Sequence, residues 1–191
     1  MTGAEGAARP SRSIRPIFTL VAAAVCVAAA IFVLASSRLP GANPNRDNYE
    51  AAPGALAPLF TASTAEGEAF TLEDERGRPV LLNFWATNCV PCRVEMPDLQ
   101  RVHETFGDAV SVVGMNTGES RATVLAWAEE QGITFPLLLD PTGETSSRYE
   151  LRGQPTTFVV DADGRVAEVF YGPVTAERVS QALTAVLAQQ T

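Results

Sequence analysis

Lysine is absent from all 191 residues, and the 14 basic side chains are arginines. With the high alanine content, this reflects coding bias more than function. Histidine occurs once, at His103, and cysteine three times, at Cys26, Cys89 and Cys92. A structural zinc site takes about four Cys or His ligands. Beyond Cys89 and Cys92 the polar part of the chain offers only His103, which reads as an ordinary surface or packing residue, so no metal is expected. A secreted disulfide framework needs more than two cysteines. Positive charge is also scarce: 22 acids outnumber the arginines, for a net −8. The imbalance is localised. Up to Pro16 the charges are Glu5, Arg9, Arg12 and Arg15, whereas from Arg38 onward 11 arginines face 21 acids. So acidic a domain repels phosphate backbones, which argues against nucleic acid as a partner.

Residues 17–35 carry no charge, and Thr19 is their only polar side chain. As a helix they would span about 28 Å, close to the hydrocarbon thickness of a bilayer. Arg9, Arg12 and Arg15 precede them, so the positive-inside tendency puts residues 1–16 in the cytoplasm and the rest outside. A single transmembrane anchor over 17–35 is the expectation. A cleaved signal peptide is the alternative, because Val33-Leu34-Ala35 resembles a small-residue cleavage site. Both readings export the remainder. Cys26 sits mid-run as a small apolar filler. Residues 36–58, rich in Pro, Gly, Ala and Asn and without periodicity, read as a flexible linker.

From Leu59 to the C-terminus the pattern is regular. Short strands around 60–61 and 69–72 flank Ala65-Glu66-Gly67-Glu68 as a hairpin. Apolar runs at 79–85, 110–115 and 135–139 have buried-strand character. Residues 91–106 read as a helix with Pro91 in its first turn and Pro97 as a kink. A helix over 122–131 ends at Gly132, and a short one lies near 144–149. Strands over 156–160 and 166–171 pair through Asp161-Ala162-Asp163-Gly164. A last helix is capped by Thr175, with Val179, Leu183, Val186 and Leu187 on one face. Strands alternating with helices predict an α/β layered sheet with an antiparallel edge.

A Cys-x-x-Cys spacing alone serves zinc knuckles, redox pairs and chance equally. Here Cys89-Val90-Pro91-Cys92 lies where an apolar strand turns into a helix. Unpaired N–H groups and the positive end of the helix dipole favour a thiolate there, and the thiolate is the attacking species. Cys89 comes first and is expected to be the exposed nucleophile. Cys92, nearly one turn on, can reach its sulfur and resolve a mixed disulfide. The chemistry asks for no cofactor.

The run from Asn83 through Trp85 and Cys89 to Pro97 resembles the active-site segment of the thioredoxin superfamily, and most of all its TlpA/ResA-like branch of membrane-tethered thiol-disulfide oxidoreductases. The resemblance continues through Phe135-Pro136, Asp140, Gly143 and Tyr149 to Gly153-Gln154-Pro155-Thr156-Thr157-Phe158 and Asp161-Ala162-Asp163-Gly164. It implies a thioredoxin-like α/β fold with an N-terminal β-hairpin and a central helix-strand insertion between Ser120 and Leu139. It implies that Pro155 is a cis-proline beside the cysteines, with the backbone near Gln154 pairing strand-like with substrate. Gln154, Thr156, Trp85 and Pro91 are the expected substrate-site residues, Trp85 more as support than as contact. The resemblance also points to Glu95, one turn after Cys92, as the proton acceptor for Cys92. Many thioredoxins have a buried Asp where this chain has Asn83. A carboxylate partly buried there should have a raised pKa.

The implied function is dithiol-disulfide exchange on exported proteins. Reduction of apocytochrome c, with electrons from a membrane transporter, is the instance the branch suggests. Three rivals remain: an oxidase or isomerase of exported proteins, a thiol peroxidase, and a non-enzymatic metal-binding chaperone. Peroxiredoxins place Thr three residues before the catalytic Cys, where this chain has Ala86. The chaperone's ligand set is thin. Asn88 stands where many relatives have Trp, which removes an aromatic wall beside the nucleophile.

Overall fold

A computed structural model describes residues 49–189. The expected anchor over 17–35 lies outside them. Among the described residues no helix is long and apolar enough to cross a membrane.

Seven strands form one sheet: β1 (Thr61–Thr64), β2 (Ala69–Thr71), β3 (Val80–Trp85), β4 (Ser111–Thr117), β5 (Leu137–Asp140), β6 (Thr156–Val160) and β7 (Val166–Tyr171). Their spatial order is β2-β1-β5-β4-β3-β6-β7. The centre is parallel, β3 with β4 and β4 with β5. Both flanks are antiparallel, because β1 joins β5 and β6 joins β3 in that sense. Four helices complete the fold: α1 (Val90–Phe106), α2 (Arg121–Gln131), α3 (Glu144–Arg148) and α4 (Ala176–Ala188). The thioredoxin-like α/β expectation holds, with its hairpin and helix-strand insertion, and element ends move by up to three residues, the most at β1.

β3 is buried along its whole length, as a strand covered on both faces must be. Its alternate residues serve two cores. Leu81 and Trp85 join Met96, Leu99, Val102, Trp127, Leu137, Val179 and Leu183 on the side of α1, α2 and α4. Leu82 and Phe84 join Phe60, Met115, Tyr149 and Phe158 on the other. The second core is aromatic: Tyr149 lies 5.0 Å from Phe84 and 4.9 Å from Phe158. Its hydroxyl donates to the carbonyl of Pro58 (2.9 Å), so the phenol is paired although buried, and burial pushes its pKa up.

The expected linker over 36–58 needs correction at its C-terminal end. Gly54 N–H donates to Val166 O (2.8 Å), Val166 N–H to Ala55 O (2.9 Å) and Ala57 N–H to Gly164 O (2.9 Å). Leu56 bridges to Arg165, and Ala57 is fully buried. The segment lacks the apolar periodicity from which an element can be read. Its backbone groups are satisfied by tertiary bonds to the start of β7, and no sequence pattern records those.

Candidate active site

The sheet's parallel centre directs the ends of β3 and β4 to one rim, and the loop from β3 into α1 carries the cysteines. Cys89 caps α1. Its Sγ accepts a hydrogen bond from Cys92 N–H (3.3 Å), with Pro91 in the first turn. An N–H aimed at that sulfur, at the positive end of a 17-residue helix, favours the thiolate of Cys89 over its thiol. The two cysteines form a disulfide, with Cα atoms 5.3 Å apart. Cys89 is half-buried between exposed Asn88 and Val90, Pro91 is exposed, and Cys92 is fully buried. A protein disulfide can therefore come within reach of Cys89 but not of Cys92.

One turn further, Glu95 is 1% exposed, among Met96, Leu99 and Val102. Its Oε1 accepts from Asn83 Nδ2 (2.7 Å) and its Oε2 from the N–H of Val174 (2.8 Å). Burial pushes its pKa up to about 7, against the opposing pull of the two hydrogen bonds. A carboxyl group in that range can take and return a proton at neutral pH. Asn83 is itself fully buried on β3. Its Nδ2 also donates to Thr157 Oγ1 (2.9 Å), while its Oδ1 has no partner among the described residues. Those two facts make the amide reversible. When Glu95 is ionised the NH2 group serves both neighbours. When Glu95 is protonated, a turned amide lets Oδ1 accept from the carboxylic acid and from the Thr157 hydroxyl. An Asp at position 83 could not serve an ionised Glu95 in this way.

The loop before Cys89 is held by a residue that no motif marks. Glu119, between β4 and α2, accepts from Thr87 N–H (2.7 Å), from the Thr87 hydroxyl and from Asn116 Nδ2 (2.6 Å). Its partial burial would raise its pKa, but the bonds from Asn116 and Thr87 outweigh burial and hold the carboxyl below its ordinary value. An ionised Glu119 thus clamps the chain two residues before the nucleophile. Its only trace in the sequence is an acid ahead of the Ser120 cap, which ordinary helix starts share.

Pro155 is in the cis form and buried. The register Phe84↔Thr156 places it level with the end of β3. Gln154 Nε2 donates to Trp85 O (3.3 Å), and Pro155 O accepts from Gly172 N–H (2.9 Å). Among the described residues the backbone N–H and carbonyl of Gln154 enter no hydrogen bond, so they stand open for an extended partner.

Of the expected substrate-site residues, Thr156 is corrected, and Trp85 lies beneath the surface, as support and not as contact. The Trp85 side chain is fully buried, 4.7 Å from the Trp127 ring. A Cβ on Gly114 would come within 3.0 Å of its Nε1, so that glycine makes room for the indole, which supports the site from beneath. Thr156 is 1% exposed and its hydroxyl donates to Gly153 O (2.8 Å), which leaves nothing to offer a substrate. His103 packs edge-on against Phe135 (6.1 Å between centroids). It lies about 16 Å from Cys92 along α1, too far to join the cysteines around one metal ion.

Comparison with known proteins agrees with this geometry. Residues 53–169 match the AhpC/TSA family. The thiol-disulfide oxidoreductase ResA of Geobacillus thermodenitrificans is 36% identical over 134 residues, 70% of this chain and 77% of that protein. A thiol:disulfide interchange protein of the thioredoxin family from Chlorobium tepidum superposes with a TM-score of 0.64 at 31% identity, over 69% of this chain and 95% of that one. A secreted thiol-disulfide isomerase from Corynebacterium glutamicum also superposes at 0.64, with 28% identity, over 70% and 86%. A half-exposed cysteine backed by a buried one, a buried acid of raised pKa and a cis-proline thus occur together in a chain that belongs to the AhpC/TSA family, as a thioredoxin-like thiol-disulfide oxidoreductase.

Proposed function

We propose that this oxidoreductase works outside the cytoplasm, tethered by residues 17–35, and reduces disulfides of exported proteins, apocytochrome c among them. The arrangement of Cys89 and Cys92 carries the reading: one sulfur open to a protein disulfide, the other sealed behind it. In the reducing direction the Cys89 thiolate attacks a substrate sulfur. A mixed disulfide forms and one substrate thiolate leaves. Cys92 gives its proton to Glu95 and attacks Cys89, and the second substrate thiolate departs with a proton. The substrate ends as a dithiol and the pair as the disulfide seen here. Two electrons have moved, and a membrane electron-transfer partner restores the dithiol. Glu95, Cys92 and Pro155 act on the reacting sulfurs, while Gln154 and Pro91 border the substrate.

The arginines before residue 17 support the outward orientation. Protease added to intact spheroplasts should digest the domain, and protection lost only on lysis would refute export. Direction is read from the reduction potential. A value near the about −270 mV of thioredoxin supports a reductant, and one near the about −120 mV of a strong oxidant such as DsbA refutes it. Likeness to a secreted isomerase favours a second reading, disulfide isomerisation. Trapping with Cys92→Ala in cells discriminates, because a reductase for haem attachment captures apocytochromes and an isomerase captures multiply bridged proteins.

A further inference from the structure

At Pro155 the surface forms a groove of about 180 Å³, lined by residues 152–156 together with Tyr171 and Gly172. Tyr171 is 66% exposed, one of three large apolar side chains so open among the described residues. Arg152 is exposed and has no carboxylate partner there. That sets it apart. Arg78, Arg101 and Arg148 are paired with acids, Arg121 and Arg165 are bonded to carbonyls, and Arg178 lies over Phe170.

From these observations we infer that Arg152 and Tyr171 make the groove selective for substrate segments with a carboxylate side chain within a few residues of the reactive disulfide. This rests on the reading of the site as one for disulfide exchange with proteins. A segment pairing with the open N–H and carbonyl of Gln154 runs extended, so alternate side chains, about 6.6 Å apart, face the groove. One of them meets the guanidinium, which can hold a carboxylate by two parallel bonds, and its neighbour lies on the Tyr171 ring. The rest of the domain carries excess negative charge and would repel an acidic segment at long range. At physiological salt that field is screened beyond about 8 Å, so the contact charge at Arg152 decides.

The test uses the full-length chain, pre-reduced, with disulfide-closed Cys-x-x-Cys peptides. Each peptide carries Glu, Gln or Lys at one of the three positions before the first Cys, and single-turnover second-order rates are measured. For the wild type the Glu peptide should exceed the Lys peptide by about twofold to tenfold at one position, the range of an exposed ion pair set against a repulsion. High salt should flatten the ratio. Arg152→Glu should reverse it and Arg152→Gln should bring it near one. The ratio is taken within each variant, so an overall loss of rate does not disturb it, and circular dichroism confirms folding. A flat series in the wild type, or an unchanged order in Arg152→Glu, overturns the inference. If the wild type reduces neither these peptides nor a small aromatic disulfide, the exchange reading itself has failed. If it reduces the small disulfide but shows no charge preference, only the role of Arg152 has failed.

Discussion

Replacing Glu95 by Gln should remove a fall in stability between pH 4.5 and 7. In the folded chain burial pushes the Glu95 pKa from 4.5 to about 7. Between those values the folded state holds a proton that the unfolded state has released. Stability is then lost as pH rises, because the unfolded state binds fewer protons. A tenfold difference in proton affinity between the two states is worth about 1.36 kcal/mol. The displacement therefore amounts to about 3 kcal/mol, fully present below pH 4.5 and gone above about pH 7. Glu95→Gln has no such titration. Its carbonyl can keep the Val174 N–H, and its NH2 can meet Asn83 Oδ1 once that amide turns, so the fold should tolerate it. Urea unfolding of the oxidised full-length chain in detergent, from pH 4.5 to 8, gives the test. Wild type minus variant should fall by about 3 kcal/mol across the window. Parallel curves, within about 1 kcal/mol throughout, would show that Glu95 is solvated as an ordinary helix residue and would sink the burial argument.

The same substitution should slow resolution of the mixed disulfide by roughly 10- to 100-fold, the lower range of a general-base contribution. It should also lower the Cys92 pKa, read from thiolate absorbance against pH in the reduced protein. Unchanged rates and absorbance would mean that the proton leaves through water. Alkylation of the reduced chain at neutral pH should label Cys89 before Cys92, and the opposite order would exchange their roles. Glu119→Gln should cost about 1–3 kcal/mol by breaking hydrogen bonds to a charged group and should speed hydrogen exchange at the Thr87 amide. An unaltered Thr87 amide would show that the loop is held by other contacts. Because the Glu119 pKa is lowered, its contribution to stability should fade as the pH drops through the acid range, opposite in sign to that of Glu95.

Much of the fold and site is legible in the sequence, and the divide follows interaction range. Strands and helices announce themselves through apolar runs, caps and breakers. The run over 79–85 is β3, and Thr175 caps α4 with its side chain accepting from Arg178 N–H. The cysteine pair and the proline loop each lie within one short segment, so adjacent residues define them. The place of Glu95 one turn from Cys92 follows from helical spacing. Its partners do not, since Asn83 lies on β3 and Val174 in the loop before α4, 12 and 79 positions away. Glu119 escapes for the same reason: its value lies in reaching Thr87 across 32 positions. Trp85 and Thr156 do lie near the site, but neighbouring in sequence says nothing of burial. There Gly114 and Gly153 decide, one by admitting the indole and the other by taking up the hydroxyl.

The segment that docks along the start of β7 bears on how the domain avoids its own kind. β7 is a terminal strand of the sheet, and the unpaired backbone of such a strand invites pairing with another molecule. Gly54, Ala55 and Ala57 occupy the amide and carbonyl of Val166 and the carbonyl of Gly164. A chain trimmed to begin at Leu59 would keep every catalytic side chain. It would also bare that rim, and two copies could then zip together along it. Self-association on trimming, relieved by restoring ten N-terminal residues, would mark the segment as a guard strip against aggregation.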